Sequence, residues 1–164
     1  MTTISGAAAG TPHSPRFAIL HGGLLAGALD ILAAIASNAF RGIEALSILQ
    51  SVATGLLGRA AYDLGLAGAG LGLLLHFLVM FAISAIFYAA SRRLVFLVRH
   101  AALSGALYGI AVYLFMNFVV LPLSAFPHTL RHSPGALALG VSIHVLCVGL
   151  PIALVVKRYS ERTS

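Results

Sequence analysis

The chain has 164 residues, of which 60% are hydrophobic and 9% charged, with a mean hydropathy of +1.01. So few charges cannot cover a water-soluble core, which leaves a membrane chain, and four spans of about 20 residues each already fill half of it, so no second domain fits. The net charge of +6 comes from ten Lys and Arg at the ends of apolar runs, with no aromatic-interleaved basic face; it is a topology signal, and no nucleic-acid partner is expected.

Residues 1–16 are small and polar, contain Pro12 and Pro15, and have nothing to fold around, which predicts a disordered tail. Residues 17–40 form the first apolar run, about 36 Å long as a helix and interrupted only by His21, Asp30 and Asn38. A cleavable signal peptide is disfavoured because Asp30 breaks the apolar stretch and the run is too long. Over residues 43–57 the apolar positions Ala45, Leu46, Leu49, Val52, Ala53, Leu56 and Leu57 recur at three-to-four spacing, opposite Glu44, Ser47, Gln50, Ser51 and Thr54. This segment is too polar to span; it predicts an amphipathic helix lying at the interface or folded back on the bundle. Residues 58–70, rich in Gly and Ala, read as a flexible return.

The second span is predicted over residues 71–90, stopped by Arg92 and Arg93, and the third over 101–121, ended by Pro122 and Pro127. The fourth covers 135–156, with Pro151 expected to kink it and free a carbonyl one turn earlier. Residues 159–164 complete the chain as a second tail. Four spans put Arg16, Arg92, Arg93, Arg99, Lys157, Arg158 and Arg162 on one side and Arg41, Arg59 and Arg131 on the other. Seven against three places both termini in the cytoplasm. Cys147, alone, forms no intrachain disulfide.

Two stretches share a pattern: Leu71-Gly72-Leu-Leu-Leu-His76-Phe-Leu78 and Leu139-Gly140-Val-Ser-Ile-His144-Val-Leu146. Each follows a span with small residues four apart, Gly23-Leu-Leu-Ala-Gly27 and Gly105-Ala-Leu-Tyr-Gly109, so the chain reads as two tandem hairpins of the same polarity. Gly23, Gly27, Gly72, Gly105, Gly109 and Gly140 are the candidate helix-packing positions. So many small residues also favour contact with a second copy or with a partner membrane protein.

The two histidines lie roughly 8 to 14 Å deep at 1.5 Å per residue. Three readings compete for them. Each imidazole can hydrogen-bond a neighbouring helix, through Ser84, Ser142, Tyr108 or Asn117; the pair can hold a bis-histidine b-type haem; or His21, Asp30, His76 and His144 can line a polar path for protons or a small solute. Asp30, near mid-span, is protonated, paired with an imidazole such as His144, or open to water. His128 and His132 have a metal-sharing spacing but no acidic ligand beside them, which favours a solvated loop over a zinc site. No nucleophile with a paired base, phosphate loop or catalytic carboxylate pair is present, which points away from an enzyme.

Gly105-Ala-Leu-Tyr108-Gly109 and Tyr113-Leu-Phe-Met-Asn117-Phe-Val-Val-Leu-Pro122-Leu-Ser124, with a His76 helix ending in Tyr88 and a basic pair, resemble bacterial inner-membrane proteins of the YagU type. The resemblance covers residues 17–158. It implies a bacterial plasma-membrane address and a four-helix architecture, and brings no activity or catalytic residue with it. One departure is Asp30, where the counterpart in the repeat is Val112.

The expected protein is therefore all-α, an integral membrane four-helix bundle with an additional amphipathic interfacial helix. Its functional expectation is a non-enzymatic small conduit or envelope-homeostasis factor with Asp30, His76 and His144 inside the bundle. A haem-binding redox protein and a structural subunit of a larger membrane complex are the alternatives.

Overall fold

The structure, a computed structural model, describes residues 15–127 and 133–161, and every regular element among them is helical. Helix α1 is Pro15–Ala39, α2 Ala45–Leu57, α3 Gly65–Arg93, α4 Val95–Arg99, α5 Ala101–Leu123 and α6 Pro134–Glu161. Of these, α1, α3, α5 and α6 are long and apolar enough to cross a membrane. The packing is the reverse of a soluble protein's: Leu24, Leu32, Leu78, Ile86, Leu103 and Leu146 face outward, while Gly22, Gly23, Ala26, Gly27, Gly105 and Ala153 are buried. Large apolar side chains outside and small ones at helix crossings are what lipid solvent selects, so this is a multi-pass membrane protein.

Helix α1 lies between α3 and α6, and α6 lies between α1 and α5. The ring is left open between α3 and α5. These two meet near one end only, where the Tyr108 hydroxyl donates to the Ile83 carbonyl (2.7 Å) and the Phe87 and Tyr108 rings pack 5.0 Å apart. His21 at the start of α1 stacks on Tyr159 at the end of α6, with ring centroids 5.8 Å apart and planes 8° from parallel. The first and last spans thus begin and end on one face, the terminal face, which also holds the end of α3 and the start of α5. The opposite face carries α2.

The repeat is visible in the packing. Gly27 faces Phe77 and Met80 beside His76, and Gly109 faces the His144 backbone. Gly27 and Gly109 are 82 residues apart but His76 and His144 only 68, so the first hairpin carries 14 extra residues in its connection. Helix α2, with 13, accounts for nearly all of them. Among the described residues the second hairpin has no such helix.

Several boundaries differ from expectation. Residues 58–70 are structured: Gly58–Tyr62 forms a 3-10 turn and α3 begins at Gly65, six residues early. Gly58 (φ 60°) and Gly65 (φ 54°) take left-handed conformations that open and close this turn, and the Gln50 amide donates to the Tyr62 (3.3 Å) and Gly65 (2.9 Å) carbonyls. Small side chains here serve close packing rather than flexibility. Pro15 and Arg16 belong to α1, and Tyr159–Glu161 to α6, so both predicted tails are shorter; residues 1–14 and Arg162 lie outside the described residues. Pro suits a first helical turn because its missing N–H has no intrahelical partner there. The same holds for Pro134, where α6 starts behind Ser133, whose hydroxyl accepts from the Ala136 N–H (3.2 Å).

Pro122 does not end α5, which runs to Leu123 through a π-helical turn at Met116–Val120. A matching turn, His144–Gly149, precedes Pro151 in α6. In both helices the proline removes one ladder bond and crowds the carbonyl four residues back, and the wider turn relieves the crowding. Pro151 therefore acts through the π turn ahead of it.

Candidate functional site

A cavity of about 670 Å³ opens on the α2 side of the bundle. It is lined from all four spans and from α2, and its walls keep the register of the repeat: Asp30 and Val112, Ala34 and Met116, Asn38 and Val120, and His76 and His144 are equivalent pairs. Both π turns contribute, one through Asn117 and the other through His144. Ser51 of α2 and Ser124 beyond α5 add to the polar lining, and among the described residues no Lys or Arg takes part.

Two of the three central side chains are hydrogen-bonded to backbone carbonyls, which fixes their tautomers. A carbonyl only accepts, so His76 donates through Nε2–H to Gly27 (2.9 Å) and, when neutral, keeps its lone pair on Nδ1. His144 donates through Nδ1–H to Gly140 one turn back (3.0 Å), and its lone pair is on Nε2. Its ring sits edge-on to Tyr113, centroids 5.2 Å apart. Asn38 and Asn117 likewise donate from Nδ2 to Ala34 and Tyr113 of their own helices (2.9 Å each), and Ser51 and Ser124 donate to Ile48 (2.6 Å) and Leu121 (2.8 Å). What the imidazoles and hydroxyls have left over is acceptor capacity, and each amide keeps its Oδ1 as an acceptor beside one further N–H.

Asp30, half-buried in the same wall, makes no hydrogen bond or ion pair among the described residues, though it lies within electrostatic reach of both imidazoles. An aspartate at a helix centre costs about 3 kcal/mol on insertion scales, and facing a polar cavity rather than lipid is how that cost is reduced.

The cavity is blind. Towards the terminal face Ala26, Met80, Ile83, Val148 and Ile152 close the bundle in a buried apolar cluster. His21, predicted as a fourth member of the polar path, lies beyond this cluster: it is exposed, and its Nδ1 contacts the Phe17 carbonyl (2.8 Å) and the Tyr159 hydroxyl (3.0 Å). It is a surface residue less than two helical turns from the start of the span and does not belong to the site. His128 and His132 lie outside the described residues. Among the described residues no three His, Cys, Asp or Glu side chains are grouped closely enough to hold a metal ion.

The packing glycines position these walls. A Cβ on Gly23 or Gly27 would strike Phe81 (2.5 Å) or Phe77 (2.7 Å), so these two set the approach of α1 to α3 that brings His76 to Gly27. On α5, Gly105 and Gly109 lie against the α6 backbone at Gly149 and His144, and Gly140 lies against the Tyr113 ring. Gly72 receives the Leu49 carbonyl of α2. All six predicted glycines thus pack within the chain, which leaves contact with a second chain to other surfaces. Gly149, overlooked in the sequence, has the tightest backbone neighbours on α5; its signal was its place opposite the Gly-x-x-x-Gly pair.

Helix α2 folds back on the bundle, the second of its two expected placements, with Ala53 of its apolar side buried. Gln50 and Thr54 of its polar side are buried, whereas Leu56 and Leu57 face outward. It packs along the first turns of α3, and its Gly55 carbonyl accepts from the Ala125 N–H after α5 (3.0 Å). It therefore bridges α3 and α5 where the spans themselves diverge, and forms one wall of the cavity.

Comparison of the chain with protein-family models, with curated proteins and with solved structures finds no match.

Proposed function

We propose that this protein takes up a small, donor-rich cation, hydronium or a small ammonium ion, into its cavity from the α2 face, with Asp30 as counter-charge. The observation that carries the reading is a carboxylate with no hydrogen-bond or ion-pair partner among the described residues, in a cavity where two imidazole lone pairs and two amide oxygens are available as acceptors and where no Lys or Arg is found among the described lining residues. A cation with several N–H or O–H donors satisfies such a site; an anion meets the Asp30 carboxylate with no described basic side chain to offset it. The blind end makes the present conformation a binding state, and passage to the terminal face requires the cluster around Ala26 and Ile152 to part.

We further place the protein in a bacterial plasma membrane, alongside proteins of the YagU type, with both termini cytoplasmic. Arg92, Arg93, Arg99, Lys157 and Arg158 near the terminal face support that orientation.

The test is uptake of labelled methylammonium, and of protons reported by an internal dye, into liposomes holding the purified protein. Asp30→Asn is expected to abolish the protein-dependent signal while leaving helicity and elution volume unchanged. Uptake by Asp30→Asn equal to that of the natural protein, or no uptake and no saturable binding by the natural protein, would overturn the reading.

A further inference from the structure

A second hollow of about 450 Å³ lies between α3 and α5 and is walled almost wholly by apolar side chains. Ala82, Ile86, Ala111 and Phe115 on its rim are exposed on the flank of the bundle, so it opens sideways, where a membrane protein meets hydrocarbon. Tyr108, bonded to Ile83, stops it at the terminal end. Val79, Ile83, Val112, Met116 and Val120 line both this groove and the polar cavity, so the two hollows meet along these five side chains, and a ligand that fills both passes between them.

We infer that the groove is the tail site of an amphiphilic ammonium ion whose head occupies the polar cavity beside Asp30. This rests on the cation reading above and names the ligand class. The groove commits the tail, because an opening onto acyl chains is filled by apolar matter drawn from the bilayer. The cavity commits the head: a carboxylate, two imidazole lone pairs and two amide oxygens match an R–NH3+ group with its three donors. Phosphate- or sulfate-headed lipids are disfavoured by the same charge, since no Lys or Arg among the described residues lines the cavity to receive them. Each hollow has the size usual for small-molecule sites, apolar walls with a few placed polar groups. The sparse α3–α5 contact, which the repeat would have matched to the closer α1–α6 contact, is then the ligand's lateral doorway.

The probe is labelled dodecylammonium, bound to the full chain in lipid nanodiscs and compared with methylammonium, dodecyltrimethylammonium and dodecyl sulfate. Ala111→Phe fills the groove from α5 and Ala82→Phe fills it from α3, so the second serves if the first fails to fold. Either is expected to weaken dodecylammonium binding at least about tenfold and to change methylammonium binding less than about twofold. Asp30→Asn weakens both, and dodecyltrimethylammonium, without N–H donors, binds less well than dodecylammonium. If methylammonium binding depends on Asp30 but neither groove variant affects dodecylammonium, the tail site is overturned and the cation reading stands. If neither amine shows Asp30-dependent binding, both fall. Dodecyl sulfate binding as tightly as dodecylammonium would overturn the head assignment.

Discussion

His76 on α3 donates its Nε2–H to the carbonyl of Gly27 on α1, across 2.9 Å of buried bundle interior. Its repeat partner His144 donates to Gly140 of its own helix instead. One motif thus has two uses. In the first hairpin the imidazole ties two helices together, whereas in the second the helices touch backbone to backbone at Gly105 and Gly149 and need no side-chain tie. Both rings are left with a lone pair, and both line the cavity.

His76→Leu is therefore expected to destabilise the bundle by about 1 kcal/mol, the scale of interhelical hydrogen bonds in membranes. The Gly27 carbonyl keeps its helical partner, which limits the loss. His144→Leu removes only a bond within one helix and should cost less than half as much. Unfolding in mixed detergent micelles, followed by circular dichroism, measures both; equal costs would mean that the bond to Gly27 contributes nothing.

Glycine substitutions should divide by what their new methyl meets. Gly149→Ala would press against the Gly105 carbonyl, and forced repacking of this kind costs about 1–3 kcal/mol. Gly70→Ala meets nothing within 4 Å and, in the middle of a helix, should be neutral or stabilising by about 0.5–1 kcal/mol. Melting temperatures in detergent distinguish the two.

Gly72→Ala should loosen α2 without dismantling the four spans, because the Leu49 carbonyl of α2 occupies the space a methyl would need. The expected consequence is a more open cavity. In a Cys147→Ser background, Ser124→Cys should react faster with a water-soluble maleimide when Gly72→Ala is also present; an unchanged rate would show that α2 does not cover that wall.

Reporter fusions at the two ends should report the same compartment, since His21 and Tyr159 stack on one face of the bundle. Fusions in the 41–44 connection should report the opposite one. Ends in different compartments would be incompatible with this packing.

The sequence alone determined the solvent and the count of spans. Long apolar runs closed by Arg and Lys define spans because lipid penalises any interruption, and Gly-x-x-x-Gly marks where helices approach because only hydrogen leaves room. The histidine repeat, too, was legible, and it predicted equivalent positions that the bundle sets around one cavity. Tertiary structure decided the rest. Asp30 and His21 look alike in sequence, two polar residues in one apolar run, yet one faces a cavity and the other a surface, because their rotation and depth are fixed by α3 and α6. The spacing in α2 separates a polar side from an apolar one but does not say what each meets; Gln50 bonds the carbonyls of Tyr62 and Gly65, which holds part of the polar side inward. The open seam between α3 and α5 leaves no trace in local pattern, since it is the absence of a contact, and only the placement of every other helix creates it.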